Sequence, residues 1–200
     1  MDREEDQNNA MAIAEPILAG LYAILNEAVA FYFDDANYSN AARAEHNDRA
    51  VANNIYSHAE KRVVTFAEGT PGLNVINSHS LIVANYLDQG LFRFKKVKAN
   101  GKHSNYQTKQ QQDYDDQKTF ADFPAPAVRL TVGYELDASG AGLKRIMIAR
   151  PIGRSILWTA QVMMEAEVAR WEDITPRRFD ATESIDFDAD RARSRRGRGR

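Results

Sequence analysis

Between Val128 and Leu136 every second side chain is apolar: Val128, Leu130, Val132, Tyr134 and Leu136 alternate with Arg129, Thr131, Gly133 and Glu135. A period of two belongs to a half-buried strand, because a helix spreads the same five residues around its circumference. The segment Asp137 to Gly142, DASGAG, consists of residues suited to a chain reversal, so the strand returns as Leu143 to Arg150 and forms a β-hairpin. After the turn-like Arg150-Pro151-Ile152-Gly153, a third run from Ile156 to Met163 sets Ile156, Trp158, Ala160 and Val162 on one face. Any fold of this chain has to accommodate that antiparallel unit.

Upstream the period changes. Ile17, Leu21, Ile24, Leu25, Ala28 and Phe31 recur at three- and four-residue spacing, and Pro16 suits a first-turn position, which predicts a helix to about Phe33. Its apolar surface, widened by Tyr22, Val29, Tyr32 and Phe33, suits packing on the sheet and also on a second helix or another subunit. Asp34 to Asn40 is turn chemistry, with Ser39 or Asn40 capping a second helix of about 24 residues to Val64 whose narrow apolar face is Val51, Ile55, Ala59 and Val63. Residues 1–9 are polar and acidic and predict a frayed start.

The middle of the chain carries mixed signals. Glu68 to Gly72 breaks the second helix, Leu73 to Asn77 suits a short strand, and Ser80 to Gly90 has a capping serine and a terminating glycine that favour a helix. From Leu91 to Thr108, Phe92 and Phe94 alternate with Arg93 and Lys95, and Asn100-Gly101 is the pair favoured in a type I′ turn, so a second hairpin is expected. Thr108 opens a capping box to Gln111 and a polar surface helix to about Phe120, anchored by Tyr114 and Phe120. Asp122 to Pro126 reads as an extended linker, and Met163 to Trp171 is rich in helix formers.

The expected fold class is α+β: two N-terminal helices packed on an antiparallel sheet built from two β-hairpins plus a further strand. Two hundred residues suit one such domain, residues 13–171, preceded by a flexible lead-in 1–12 and followed by a tail 172–200 that is acidic and then arginine-rich. The chain has no cysteine, which excludes disulfides and thiolate chemistry. The acidic N-terminus lacks the features of a secretory signal, and the apolar runs fall short of a membrane span, so a cytoplasmic protein without membrane contact is expected.

A net charge of −2 makes local charge the only argument for a nucleic-acid partner. From Gln89 to Gln112 there is no acidic residue, while Arg93, Lys95, Lys96, Lys98, Lys102 and Lys109 fall inside, with Tyr106 as a stacking surface. Cations interleaved with aromatic and amide groups neutralise phosphates and stack on bases, so RNA or DNA binding through this basic hairpin, assisted by the Arg191 to Arg200 tail, is the leading expectation. Lysines on a hairpin also serve as protection against edge-to-edge pairing.

The alternative is a metal-independent enzyme acting on phosphodiesters. His58 would be its general base, and Lys61, Arg62, Arg150 and Arg154 would stabilise the phosphorane charge. A third reading is an interaction module that uses helix one, for a protein partner or a second copy, together with the charged tail. Phosphate-loop, dinucleotide, esterase-elbow and zincin patterns are missing, so neither a cofactor nor a metal is expected. Asp116-Gln117-Lys118 resembles the D-x-K half-motif of PD-(D/E)XK nucleases, but it falls on the predicted surface helix rather than on a strand and carries no activity over.

Overall fold

The computed structural model describes residues 2–78, 81–103, 109–118, 123–124 and 127–176. Seven strands form one sheet in chain order: β1 Leu73–Ser78, β2 Leu81–Tyr86, β3 Gly90–Lys96, β4 Val128–Leu136, β5 Leu143–Ile152, β6 Ser155–Glu165 and β7 Val168–Asp173. Every neighbouring pair is antiparallel except β3 and β4, which run parallel from the Gly90–Val128 pair to the Lys96–Tyr134 pair. The α+β class and the Val128 hairpin are therefore as expected, with more strands than the sequence suggested.

Four helices precede the sheet: α1 Arg3–Ala14, α2 Leu18–Phe33, α3 Asn40–Ala44 and α4 Asp48–Glu68. A short 3₁₀ turn, Glu15–Ile17, joins α1 to α2 and uses Pro16 at its start. Leu21, Leu25 and Ala28 of α2 and Ile55, Ala59 and Val63 of α4 meet Phe92, Phe94, Val132, Ile148 and Trp158 of the sheet in one core. The helices approach closely at Gly20, where an added Cβ would lie 2.0 Å from the Phe66 ring. The run Arg3–Phe33 is, by length and composition, long and apolar enough to cross a membrane; in this fold much of its apolar surface lies in the core.

Several expectations are overturned. The flexible lead-in is α1, capped by Asp2, with Asp6, Gln7, Ala10, Met11 and Ala14 buried. The single second helix is two: Ser39 caps α3, the chain breaks, and Asn47 accepts the Ala50 amide to start α4. Leu81 to Gly90 is not a helix, since β-branched Ile82 and Val83 sit in β2, while Ser80 lies outside the described residues; Met163 to Trp171 is not a helix either, and holds the end of β6, the turn at Ala166 and Glu167, and most of β7. Residues 172–176 of the expected tail pack on the sheet, with the Ile174 amide donating to Thr159 O at 3.0 Å, and residues 177–200 lie outside the described residues.

Among the described residues the expected second hairpin is represented by one bridge, Val97–His103, and residues 104–108 of its return run lie outside the described residues. Its turn is not type I′. The Gly101 amide donates to Lys98 O at 2.9 Å and the positive φ falls on Gly101 rather than Asn100, so the loop is a type I turn followed by a left-handed glycine. Gly101 packs against the far face of the sheet, where a Cβ would lie 2.5 Å from Thr159.

The parallel β3–β4 pair requires a crossover, and residues 97–127 provide it with α5, Lys109–Asp115, on the face opposite the other helices. This corrects the picture of a polar surface helix. Tyr114 is fully buried and donates its hydroxyl hydrogen bond toward Leu91 O and Leu130 O, while Phe123 meets its ring edge-on. Arg129 and Thr131, the polar partners of the β4 alternation, are consequently buried as well.

Candidate functional site

The sequence proposed two groups of site residues, and the fold separates the members of each. In the catalytic group, His58 and Arg62 meet one turn apart on α4. The His58 ring lies 4.4 Å from that of Phe31, and its Nε2 is 3.0 Å from the Tyr38 hydroxyl. Burial, then the charges of Arg62 and Lys61, lower its pKa below the usual histidine value. Arg62 Nε is 3.2 Å from Glu27 and its guanidinium lies over Phe31, whereas Lys61 is exposed. Arg150 belongs elsewhere: its Nε is 2.8 Å from Asp6 and its Nη1 3.3 Å from the Gln117 amide oxygen. Arg154 is exposed in the β5–β6 turn and joins neither.

The cations of 89–112 also diverge. Arg93 is only 1% exposed and ion-pairs with Asp115, its Nε donating to Thr131 at 2.9 Å and its guanidinium stacking 4.5 Å from the Tyr114 ring. It is therefore a structural anchor for α5 rather than a phosphate contact. Lys98, Lys102 and Lys109 are exposed, and Tyr106 lies outside the described residues. Lys118, the cation of the D-x-K triplet, pairs with Asp113 and Asp116 at 3.2 and 2.9 Å.

Lys95 and Lys96 have a different setting, which no periodicity in the sequence signals. They line a cavity of about 170 Å³ between α4 and the sheet. Its apolar floor comes from Leu25, Ala59 and Phe94, and the small side chains Ala52 and Ala59 leave the space that larger residues at those α4 positions would fill. Lys96 and Tyr134 are register partners across the parallel pair and stand side by side at the sheet end. Asn53 and Tyr56 of α4 complete the polar lining.

Strand geometry explains the position of Lys95. By alternation it belongs to the α5 face, but β2 pairs with β3 only from Gly90 to Arg93, so the edge beside Lys95 is open. Its ammonium reaches the Tyr56 ring, 5.3 Å from the centroid. Burial, then the charge of Arg93, draws its pKa below the ordinary lysine value, with Asp115 and Glu60 acting in the opposite sense. Tyr56 is held in turn by the Ile82 backbone amide and Glu60, and burial, reinforced by Glu60, pushes its phenol up to about 12.

Tyr134 is 2% exposed, and its hydroxyl has no hydrogen-bond partner among the described residues. Burial keeps this phenol neutral by raising its pKa. Leaving a buried hydroxyl unbonded costs about 1–3 kcal/mol, and in a folded protein such a group calls for a specific explanation. Among the described residues Lys96 has one charge partner, Asp48 at 3.4 Å, and that carboxylate is 97% exposed, so the pair is weak.

No protein-family model matches this chain, and no curated protein or solved structure does so. Among the described residues no group of three histidines and carboxylates is arranged to hold a metal ion. The cavity's lining of two amines, a neutral phenol, an amide and an apolar floor has the chemistry of a binding site for an organic anion.

Proposed function

We propose that this protein binds a small organic molecule, with an anionic head and a short apolar body, in the cavity between α4 and β3. The observation that carries the proposal is a cavity that two lysines line together with Tyr134, whose buried hydroxyl has no hydrogen-bond partner among the described residues. A carboxylate or phosphate head accepts hydrogen bonds from that phenol and from Lys96, while the body packs on Leu25, Ala59 and Phe94. Size is consistent with this, since an apolar cavity of about 150 Å³ accommodates a molecule as large as benzene.

The test compares isocaproate with its uncharged amide by calorimetric titration. The acid is expected to bind at least about tenfold more tightly than the amide, a difference of about 1.4 kcal/mol, and to weaken as salt is added. Equal affinity for the two would remove the anionic head from the proposal, and no binding of either would remove the small-anion site.

Nucleic-acid binding through residues 89–112 is a second proposal, favoured by the exposure of Lys98, Lys102 and Lys109 in a segment without acidic residues. Each phosphate neutralised adds about −0.9 to the slope of log K against log salt on duplex, so changing these three lysines to alanine is expected to flatten it by about two to three units. An unchanged slope would count against this surface.

A further inference from the structure

We infer that β7 pairs with β7 of a second copy of this chain, antiparallel across a two-fold axis at Trp171, so that two seven-stranded sheets run on as one. β7, Val168–Asp173, is the last strand of the sheet, and among the described residues no strand lies on its outer side. An open edge of this kind presents a row of unpaired N–H and C=O groups, which is a template for another strand.

The ladder with β6 determines which groups face outward. Its register runs from the Glu165–Val168 pair to the Ala160–Asp173 pair, and the Ile174 amide continues it by donating to Thr159 O at 3.0 Å. Val168, Arg170, Glu172 and Ile174 therefore direct their backbone groups to β6, and Ala169, Trp171 and Asp173 direct theirs to the open edge. A copy centred on Trp171 matches Trp171 with Trp171 and Ala169 with Asp173, which closes about six backbone hydrogen bonds.

The side chains fix that register and make the partner a second copy. Ala169 and Trp171 pack on the core beneath the helices, so by alternation Val168, Arg170, Glu172 and Ile174 form the row on the other face, where Val168 is 61% exposed. With the axis at Trp171, each Arg170 stands opposite Glu172 of the other copy, and each Val168 opposite Ile174. These are the non-hydrogen-bonded pairs, in which side chains approach most closely. Moving the axis by one residue sets Arg170 against Arg170 or Glu172 against Glu172. The row is thus complementary to itself in one register and repelled in its neighbours, which is the property of an isologous interface. Within the chain Arg170 pairs with Glu165 at 2.9 Å, but both side chains are mostly exposed and the contact holds Arg170 weakly. The opposite edge, β1, has no charged residue from Leu73 to Ser78 and so lacks any such code.

The experiment measures the mass of the full chain by sedimentation equilibrium over about 1–100 μM, a range that covers dissociation constants of modest dimers. The parent is expected to pass from the mass of one chain to that of two. Arg170→Glu and Glu172→Arg are each expected to weaken the dimer at least about tenfold, because each replaces two opposite-charge pairs by two like-charge pairs. Combining the two substitutions restores the complementarity and is expected to restore the dimer, a rescue that damage to the monomer cannot produce. Amide exchange followed by NMR supplies the second readout: Ala169, Trp171 and Asp173 are expected to exchange more slowly as concentration rises, while Arg170 and Glu172, already bonded to β6, do not change. A parent that stays a single chain throughout overturns the inference and gives the edge to residues 177–200 or to a different protein. A dimer that both single reversals leave intact, or that the double variant fails to restore, uses another surface and overturns it as well.

Discussion

Asp6 and Trp158 are 152 positions apart in the chain and joined in space, the indole N–H donating to Asp6 Oδ1 at 2.7 Å. The same carboxylate oxygen lies 2.8 Å from Arg150 Nε, so one acidic residue of α1 hydrogen-bonds the indole and ion-pairs with a guanidinium of the sheet. Replacing it by alanine leaves a buried indole N–H without its acceptor and a mostly buried guanidinium without its counter-charge. Asp6→Ala is expected to cost about 3–5 kcal/mol in chemical denaturation. Asp6→Asn, which keeps an acceptor for the indole, is expected to cost less. A loss below about 1 kcal/mol for the alanine variant would show that α1 is not integral to the core.

Gln117 acts as a piece of missing strand. The β4–β5 ladder ends at Thr131–Ala149, next to the bulge at Arg150/Pro151, where proline has no N–H to offer. The Gln117 amide takes its place, donating to Arg129 O at 3.1 Å and Pro151 O at 2.9 Å and accepting the Arg129 N–H at 3.1 Å. Gln117→Ala is expected to cost about 2–3 kcal/mol, about one for each bond. Gln117→Glu is expected to be comparably damaging, because a carboxylate cannot donate to the two carbonyls. Stability of the glutamate variant equal to the parent's would refute the role.

These two residues also show where reading the sequence succeeds and fails. The alternation from Val128 and the faces of Ile17–Phe31 and Val51–Val63 are legible because their burial is apolar, and apolar burial leaves a period. Asp6, Gln117, Arg93 and Asp115 are just as essential to the packing, yet polar side chains paired with distant polar partners look like surface. For that reason α1 and α5 were expected to be frayed or superficial. The cavity is hidden for a different reason: it arises from the small volume of Ala52 and Ala59 and from the place where β2 leaves β3, neither of which has a local signature. Lys95 and Lys96 were marked as cations of a basic hairpin, and only the fold distinguishes them from exposed Lys98 and Lys102.

His58 links the helical layer to pH. Its folded pKa is lowered by burial and then by Arg62 and Lys61, so between the ordinary value of 6.5 and the lower folded value the unfolded chain binds more protons than the folded one. Stability is therefore expected to fall as pH drops below 6.5, and this contribution to level off once the folded imidazole protonates. Denaturation midpoints measured across that range, compared with His58→Gln, check the sign. A parent whose stability rises on acidification relative to the variant would contradict it.

The central claim is that the cavity beside Lys95, Lys96 and Tyr134 is a binding site, and methyl NMR during an isocaproate titration tests it most directly. The methyl groups of Leu25, Ala52 and Ala59 line the space and report on whatever enters it. Their resonances are expected to shift together and saturate, and Ala52→Leu, which fills the cavity, is expected to abolish the shifts while the spectrum remains that of a folded protein. Shifts that never saturate, or saturable shifts that leave these three residues untouched, would contradict the account.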